Sequence, residues 1–574
     1  MKIEPKDYDF IVVGAGSAGC VVANRLSENK QWNVLLLEAG GEEPVATKIP
    51  GFTLNLEKTV IDWNYTTQAE EGSCLKDKGC SLPRGKVMGG SSTINRMMYI
   101  RGNKEDYNDW SKLGNTGWSY DEILPYFKKS EDNKDPMNPG YHAIGGYLTV
   151  SKYPFLSPAG AKIENAFNEL GYPTIDVNGE NQIGITNTQV TMNNHVREST
   201  SSAFIRPIRE TRPNLIVKNE IYVTKILIDP VTKQTTGVEY KSTKTGIIQA
   251  VMAKKEVIVS AGSINSPKLL MASGVGPAEE LEKHEIKVIQ NLAVGQNFHD
   301  HFATSGVSGI IKNVNSDGID ECKEKVGNLT YYLTTKEGTF SAMGPALLSA
   351  YVRTEFEKRK EVPDIELIVQ SKSDENKFSI ITVLLAPKSR GVIKLNITDP
   401  VWGSPLIYSG FLRVEEDLKR IIQGVRIASS IFNTETMKKY KYELDEIPLP
   451  PCDKITFNSN EYWDCVVRHL GISFYHAVGT CKMGPKEDSE AVVDPRLRVY
   501  GIKGLRVIDA SVMPVVPRGN INAPTIMIAE KASDMIKEDW VSQENLGSIV
   551  VAVSQCQLGN LKKVKKRLLT NSHT

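Results

Sequence analysis

No apolar run in this 574-residue chain approaches the length of about 18 residues needed to cross a bilayer. Neither sign of charge is in excess: 69 Lys and Arg stand against 68 Asp and Glu. That balance leaves no field to recruit nucleic acid or an acidic membrane surface. Cysteine is sparse, with eight in all, so no small-protein disulfide framework carries the fold. No Cys-x-x-Cys spacing offers a metal site. Internal repeats are absent. Met1–Lys6 is polar, runs straight into an apolar stretch, and has no signal-peptide pattern. What remains is ordinary globular composition, 40% apolar and 24% charged. The length exceeds what one core usually serves, so two or more domains are expected.

The chain is organised around its N-terminus. Tyr8–Val13 is long enough for one buried parallel strand. Gly14, Gly16 and Gly19 follow as G-x-G-x-x-G, with Ser17 and Ala18 inside the motif. Val21, Val22 and Leu26 continue at helical spacing, and a second apolar run over residues 33–37 ends in Glu38. Strand, glycines, helix, second strand and acid therefore fall in the order of a βαβ dinucleotide-binding unit. The glycines allow a tight turn, close approach of backbone amides to a pyrophosphate, and packing of helix on strand. Glu38 stands where a carboxylate takes a ribose 2′-hydroxyl. This disfavours a 2′-phosphate and leaves NAD and FAD undistinguished.

A second glycine and hydroxyl cluster occupies residues 83–95, Pro-Arg-Gly-Lys-Val-Met-Gly-Gly-Ser-Ser-Thr-Ile-Asn. Residues 84–102 resemble the first signature of the glucose–methanol–choline (GMC) oxidoreductases. Five further stretches resemble family blocks in the same order: 262–276, 294–301, 475–480, 504–511 and 520–530. The likeness spans about Tyr8 to Trp540. Cys481–Pro485 and the loop cysteines are most similar to the insect glucose-dehydrogenase-like branch.

The resemblance implies an α/β and α+β architecture. A Rossmann-like FAD-binding domain would carry an inserted substrate-binding domain built on an antiparallel sheet. Residues 1–150, 213–302 and 473–540 are assigned to the first, 151–212 and 303–472 to the second, and 541–574 to a tail containing Lys562, Lys563, Lys565, Lys566 and Arg567. Strand-like runs at 215–229, 236–240 and 256–261 agree with the first assignment, and those at 391–395 and 405–408 fall in the second insert. Residues 415–429 read as an amphipathic helix.

By the same resemblance the chain oxidises a CH–OH group of an alcohol or sugar to a carbonyl, passing hydride to FAD, with a quinone or oxygen as final acceptor. His476 occupies the family's base position, and imidazole suits a base near neutral pH. Asn522 is placed at the second position, where members carry His or Asn; its amide donates a hydrogen bond without titrating. Asn95, Gly90 and Ser91 are expected beside the isoalloxazine, and Asp509 near the pyrophosphate and ribityl chain. Val223, Ala510 and Thr525 complete the cofactor set. Residues 91–95 contain no histidine, so FAD is expected to be held non-covalently. His299-x-His301 reads as packing, not as a metal pair. Two other readings keep the fold without the oxidation: a hydroxynitrile lyase and a ligand-binding paralogue without turnover.

Two cysteine pairs, Cys74 with Cys80 and Cys452 with Cys465, lie among loop-type residues. Three N-x-S/T sequons begin at Asn64, Asn328 and Asn396. Together they point to an oxidising, extracellular setting.

Overall fold

The computed structural model describes residues 2–4, 7–135, 138–154, 158–311, 321–342, 348–371 and 377–542. The expected tail beyond residue 542 lies outside the described residues.

Tyr8–Val13 is buried on both faces, as a continuous apolar run requires. It pairs in parallel with Val34–Leu37 on one side and with Ile248–Val259 on the other. Leu215–Lys218 extends the sheet in parallel beyond Val34–Leu37. Leu505–Val507 joins in parallel along Ile248–Val259, while Thr235–Ser242 and Ile221–Ile228 add an antiparallel edge. The helix Ser17–Leu26 packs beneath the first turn. There Gly14 adopts φ +100°, and a β-carbon on Gly19 would stand 1.8 Å from the Gly14 carbonyl oxygen. Only glycine permits that contact.

A second sheet is antiparallel. Its order is Tyr442–Leu444, Phe302–Ile311, Lys377–Leu384, Ile365–Ser371, Leu348–Val352 and Gly184–Asn187. Gly471–Ser473 pairs with the start of Phe302–Ile311. Strand alternation divides its side chains. Ile380 and Leu384 pack with Val425 and Val466 of the helices Glu415–Ser430 and Asn460–Leu470. Ile381 and Val383 face the other way, into a cluster with Met97, Met98 and Phe474. No helix among the described residues is long and apolar enough to cross a membrane.

Three placements differ from the sequence reading. Ala203, Phe204, Ile205 and Ile208, assigned to the first insert, pack in the core of the first sheet, and Asn24 Nδ2 donates to the Phe204 carbonyl at 2.6 Å. Their aromatic and branched side chains complete the groove beside helix Ser17–Leu26. The strands Val392–Lys394 and Leu406–Tyr408 form their own hairpin, with Ile393 and Ile407 in the same core, not in the second sheet. Cys465 lies on the helix Asn460–Leu470, not in a loop. Both expected cysteine pairs are bonded, Cys74–Cys80 and Cys452–Cys465.

Candidate active site

One cleft of about 260 Å³ runs from the first glycine turn to the join between the two sheets. At one end it is lined by Gly14, Gly16, Ser17, Ala18 and Glu38, with Val223 beside them. Gly90, Ser91 and Asn95 form a wall. Asp509, Ala510, Asn522 and Thr525 form another, and His476 stands at the far end. Gly19 alone of the expected set stays out of the lining, because its work is the contact with Gly14 behind the turn.

The two glycine-rich stretches meet face to face. A β-carbon on Gly90, whose φ is +54°, would stand 2.7 Å from the Gly16 α-carbon. Two helix N-termini converge on the same place: Ser17 begins one helix and Asn522 begins the helix over 522–542. Their side chains join, Ser17 Oγ donating to Asn522 Oδ1 at 2.7 Å. Helix N-termini present unpaired amides and positive potential, which suits a diphosphate.

Glu38 is buried under the turn. Its Oε2 accepts the Ala15 amide and its Oε1 the Gly40 amide, both at 2.9 Å. Burial raises its pKa to about 7 against those hydrogen bonds. Asp509 accepts the Gly262 amide at 2.8 Å, the Ser266 hydroxyl at 2.5 Å and the Ser511 amide at 2.8 Å. Burial raises its pKa as well. Asn95 caps the Met97 amide through Oδ1 at 2.9 Å, and Arg197 Nη1 donates to that oxygen at 3.0 Å.

His476 is 8% exposed. Its Nδ1 lies 2.9 Å from His301 Nδ1, and its Nε2 lies 3.1 Å from Asn520 Nδ2. If Asn520 donates to Nε2, it occupies that nitrogen's single lone pair, and Nδ1–H donates to His301. Burial, then the nearby His301, Arg84 and Arg96, hold the His476 pKa well below the ordinary imidazole value. The ring is therefore neutral at physiological pH and able to accept a proton. His301, fully buried, is depressed to about 3, chiefly by desolvation. His299 is structural: Nδ1 bonds the Asn297 carbonyl at 2.7 Å, and Nε2 accepts the Val516 amide at 3.0 Å.

The neighbour expected for His476 was Asn522; the structure brings Asn520 instead. Asn522 is the first helical residue, and its side chain turns back to Ser17. Asn520 sits in the preceding turn, where its amide meets the imidazole. Sequence reasoning also missed His301 as the partner of His476, although the adjacent family block contained it.

The lining fits a flavin dinucleotide. Glycine backbones and converging helix ends suit a pyrophosphate, and an acid sits at the ribose position. Ser260 Oγ, Arg84 Nε and Asn520 Oδ1 are buried polar atoms of lining residues without a protein partner.

Comparison with known proteins agrees with this geometry. The GMC oxidoreductase family models for the N- and C-terminal parts match residues 8–303 and 387–529. Glucose dehydrogenase [FAD, quinone] of Drosophila pseudoobscura pseudoobscura is 42% identical, over 93% of this chain and 87% of its own. Ecdysone oxidase of Spodoptera littoralis is 35% identical, over 93% and 92%. The crystal structure of pyridoxine 4-oxidase from Mesorbium loti superposes with a TM-score of 0.80 at 26% identity, covering 92% of this chain and 99% of that one.

Proposed function

Because the chain belongs to the GMC oxidoreductase family, we propose that it is an FAD-dependent oxidoreductase converting a CH–OH group of a sugar or alcohol to a carbonyl, with His476 as base. The observation that carries this reading is the pair of polar atoms, His476 Nε2 and Asn520 Nδ2, 3.1 Å apart at the end of a cleft that begins at a dinucleotide turn.

When bound, FAD supplies the hydride-accepting chemistry. The protein supplies the rest. A substrate hydroxyl that replaces the hydrogen bond between Asn520 and His476 gives its proton to His476 Nε2, while its oxygen accepts the freed Asn520 N–H. Arg84 and Arg96, close enough to depress the His476 pKa, favour negative charge developing on that oxygen. Glu38 and the turn from Gly14 to Ala18 hold the adenosine end; Asp509, Ala510 and Thr525 hold the middle; Gly90, Ser91 and Asn95 orient the ring. FAD is held non-covalently, since residues 91–95 offer no histidine. A quinone or oxygen takes the electrons afterwards, in keeping with the relatives of this chain, glucose dehydrogenase [FAD, quinone] and ecdysone oxidase. The protein works in an extracellular setting: both cysteine pairs are bonded, and Asn64 of the first sequon is exposed.

The test is anaerobic. Holoenzyme mixed with a panel of sugars and alcohols loses its flavin absorbance with at least one of them, and acid precipitation of an untreated sample leaves FAD in the supernatant. A lyase or a silent paralogue keeps its yellow colour with every compound. Reoxidation with a quinone and with oxygen, run in parallel, then identifies the acceptor.

A further inference from the structure

Asp300 takes no part in the reaction just described, yet it is 1% exposed and gathers the loop that carries the base. Its Oδ1 accepts the backbone amide of His476 at 2.7 Å, and its Oδ2 accepts the Ser473 hydroxyl at 2.5 Å. Ser473 Oγ in turn accepts the amide of Tyr475 at 3.0 Å. From the other side, Arg84 Nη2 donates to the Tyr475 carbonyl at 2.5 Å.

The loop needs this restraint. Tyr475 has φ +67°, in the left-handed region that a bulky side chain avoids. That conformation sends the side chains of Tyr475 and His476, adjacent in sequence, into the same cleft. Left to itself, Tyr475 would relax to negative φ, and the His476 ring would turn away from Asn520 and His301. The chemical identity of the holder matters too. The His476 amide reaches Oδ1 and the Ser473 hydroxyl Oδ2, and the His301 amide also bonds the carboxyl, so Asp300 accepts at both atoms. A carboxylate does so, whereas an asparagine accepts at only one. Burial makes a carboxylate costly here and, against the Ser473, Arg84, His476 and His301 interactions, raises the Asp300 pKa to about 6.

The geometry points to Asp300 as the positioning residue of the base. Through Ser473 and the two amides it fixes Tyr475 in its left-handed conformation and aims His476 Nε2 at the substrate oxygen. This inference rests on His476 being the base.

Three single variants, Asp300→Asn, Ser473→Ala and His476→Ala, and the two doubles that add His476→Ala separate these roles. Each FAD-loaded protein is reduced anaerobically in a single turnover with a substrate active on the wild type. Asp300→Asn keeps its FAD and is reduced about tenfold more slowly or worse, because charge-assisted hydrogen bonds to the loop are lost. In the His476→Ala background the same change alters the rate by less than about twofold, since a residue acting through the base has nothing left to aim. Carbethoxylation of His476 by diethyl pyrocarbonate, followed by peptide mass spectrometry, accelerates in Asp300→Asn with or without FAD.

The inference is overturned by Asp300→Asn or Ser473→Ala reduced within about twofold of wild type, by effects that multiply in the double variant, or by unchanged modification of His476. Should Asp300→Asn fail to accumulate as folded protein, Ser473→Ala decides by the same cycle, with a slowing of about threefold or more expected for one lost link. A normal rate for His476→Ala alone is a different failure: it removes the base assignment itself.

Discussion

Asn520 Nδ2 lies 3.1 Å from His476 Nε2, whereas Asn522 Oδ1 accepts a hydrogen bond from Ser17 Oγ at 2.7 Å. Two asparagines separated by one residue are thus divided between the reacting end of the cleft and the diphosphate end. Asn520→Ala should retain FAD and slow flavin reduction by up to about tenfold, the worth of one neutral hydrogen bond. Asn522→Ala should instead lose FAD more readily and be reduced at nearly the normal rate once reloaded. Stopped-flow reduction and FAD titration of both variants check this, and an exchanged pattern would return the second catalytic position to Asn522.

His476→Ala should keep fold and cofactor while reducing about 10²–10⁴-fold more slowly, the range of general-base assistance. Raising the pH should restore part of the rate, because solvent hydroxide substitutes for the missing imidazole. A variant within about threefold of wild type in anaerobic single turnover would exclude the imidazole as base.

Glu38 gives a prediction with a definite sign. Its folded pKa, about 7, lies above the ordinary carboxylate value of 4.5, so the folded protein favours the protonated form. The apoprotein therefore loses stability through this group as pH rises from about 4.5 to 7, by on the order of 3 kcal/mol. Glu38→Gln removes that dependence. Urea unfolding of both apoproteins should show the difference shifting in favour of the variant between pH 4 and 7. A constant difference would mean that the Glu38 pKa is not raised by folding. In the same variant FAD affinity should fall roughly tenfold or more, as a charge-assisted bond to a ribose hydroxyl is lost.

The bond between Cys452 and Cys465 closes a loop with a sequence separation of 13. Chain-entropy estimates put such a loop near 3 kcal/mol. A Cys452→Ser, Cys465→Ser double variant should unfold at clearly lower temperature than wild type while leaving the flavin spectrum unchanged, since the pair lies away from the cleft lining. Peptide mapping of protein from a secretory host should find all four cysteines of the two pairs oxidised; free thiols there would count against the extracellular reading.

What the sequence made legible was local. Tyr8–Val13, the glycine turn, Val34–Leu37 and Glu38 form one contiguous unit whose order follows from backbone geometry, and helix Glu415–Ser430 announced itself by its apolar spacing. What it hid was who meets whom. His301 and His476 touch across 175 residues, and nothing in either neighbourhood specifies the other. Asn520 and Asn522 are chemically identical, and only the start of the final helix separates their directions. Ile393 and Ile407 read as strand residues of the insert because a strand pattern does not say which core will cover it. Their burial against the first sheet depends on the returning chain.

One short stem, Phe302–Thr304 paired with Gly471–Ser473, lies where the second sheet meets the residues that carry the site. His301 stands immediately before one strand of that stem, and His476 three residues after the other. The contact between the imidazoles is thus fastened at this stem, while the far strands, Leu348–Val352 and Gly184–Asn187, lie at the opposite edge of the second sheet. None of those distal strands lines the cleft, so changes there leave both its wall and the register at the stem undisturbed. The outer edge of the second sheet can therefore vary in sequence at little cost to the geometry of the base.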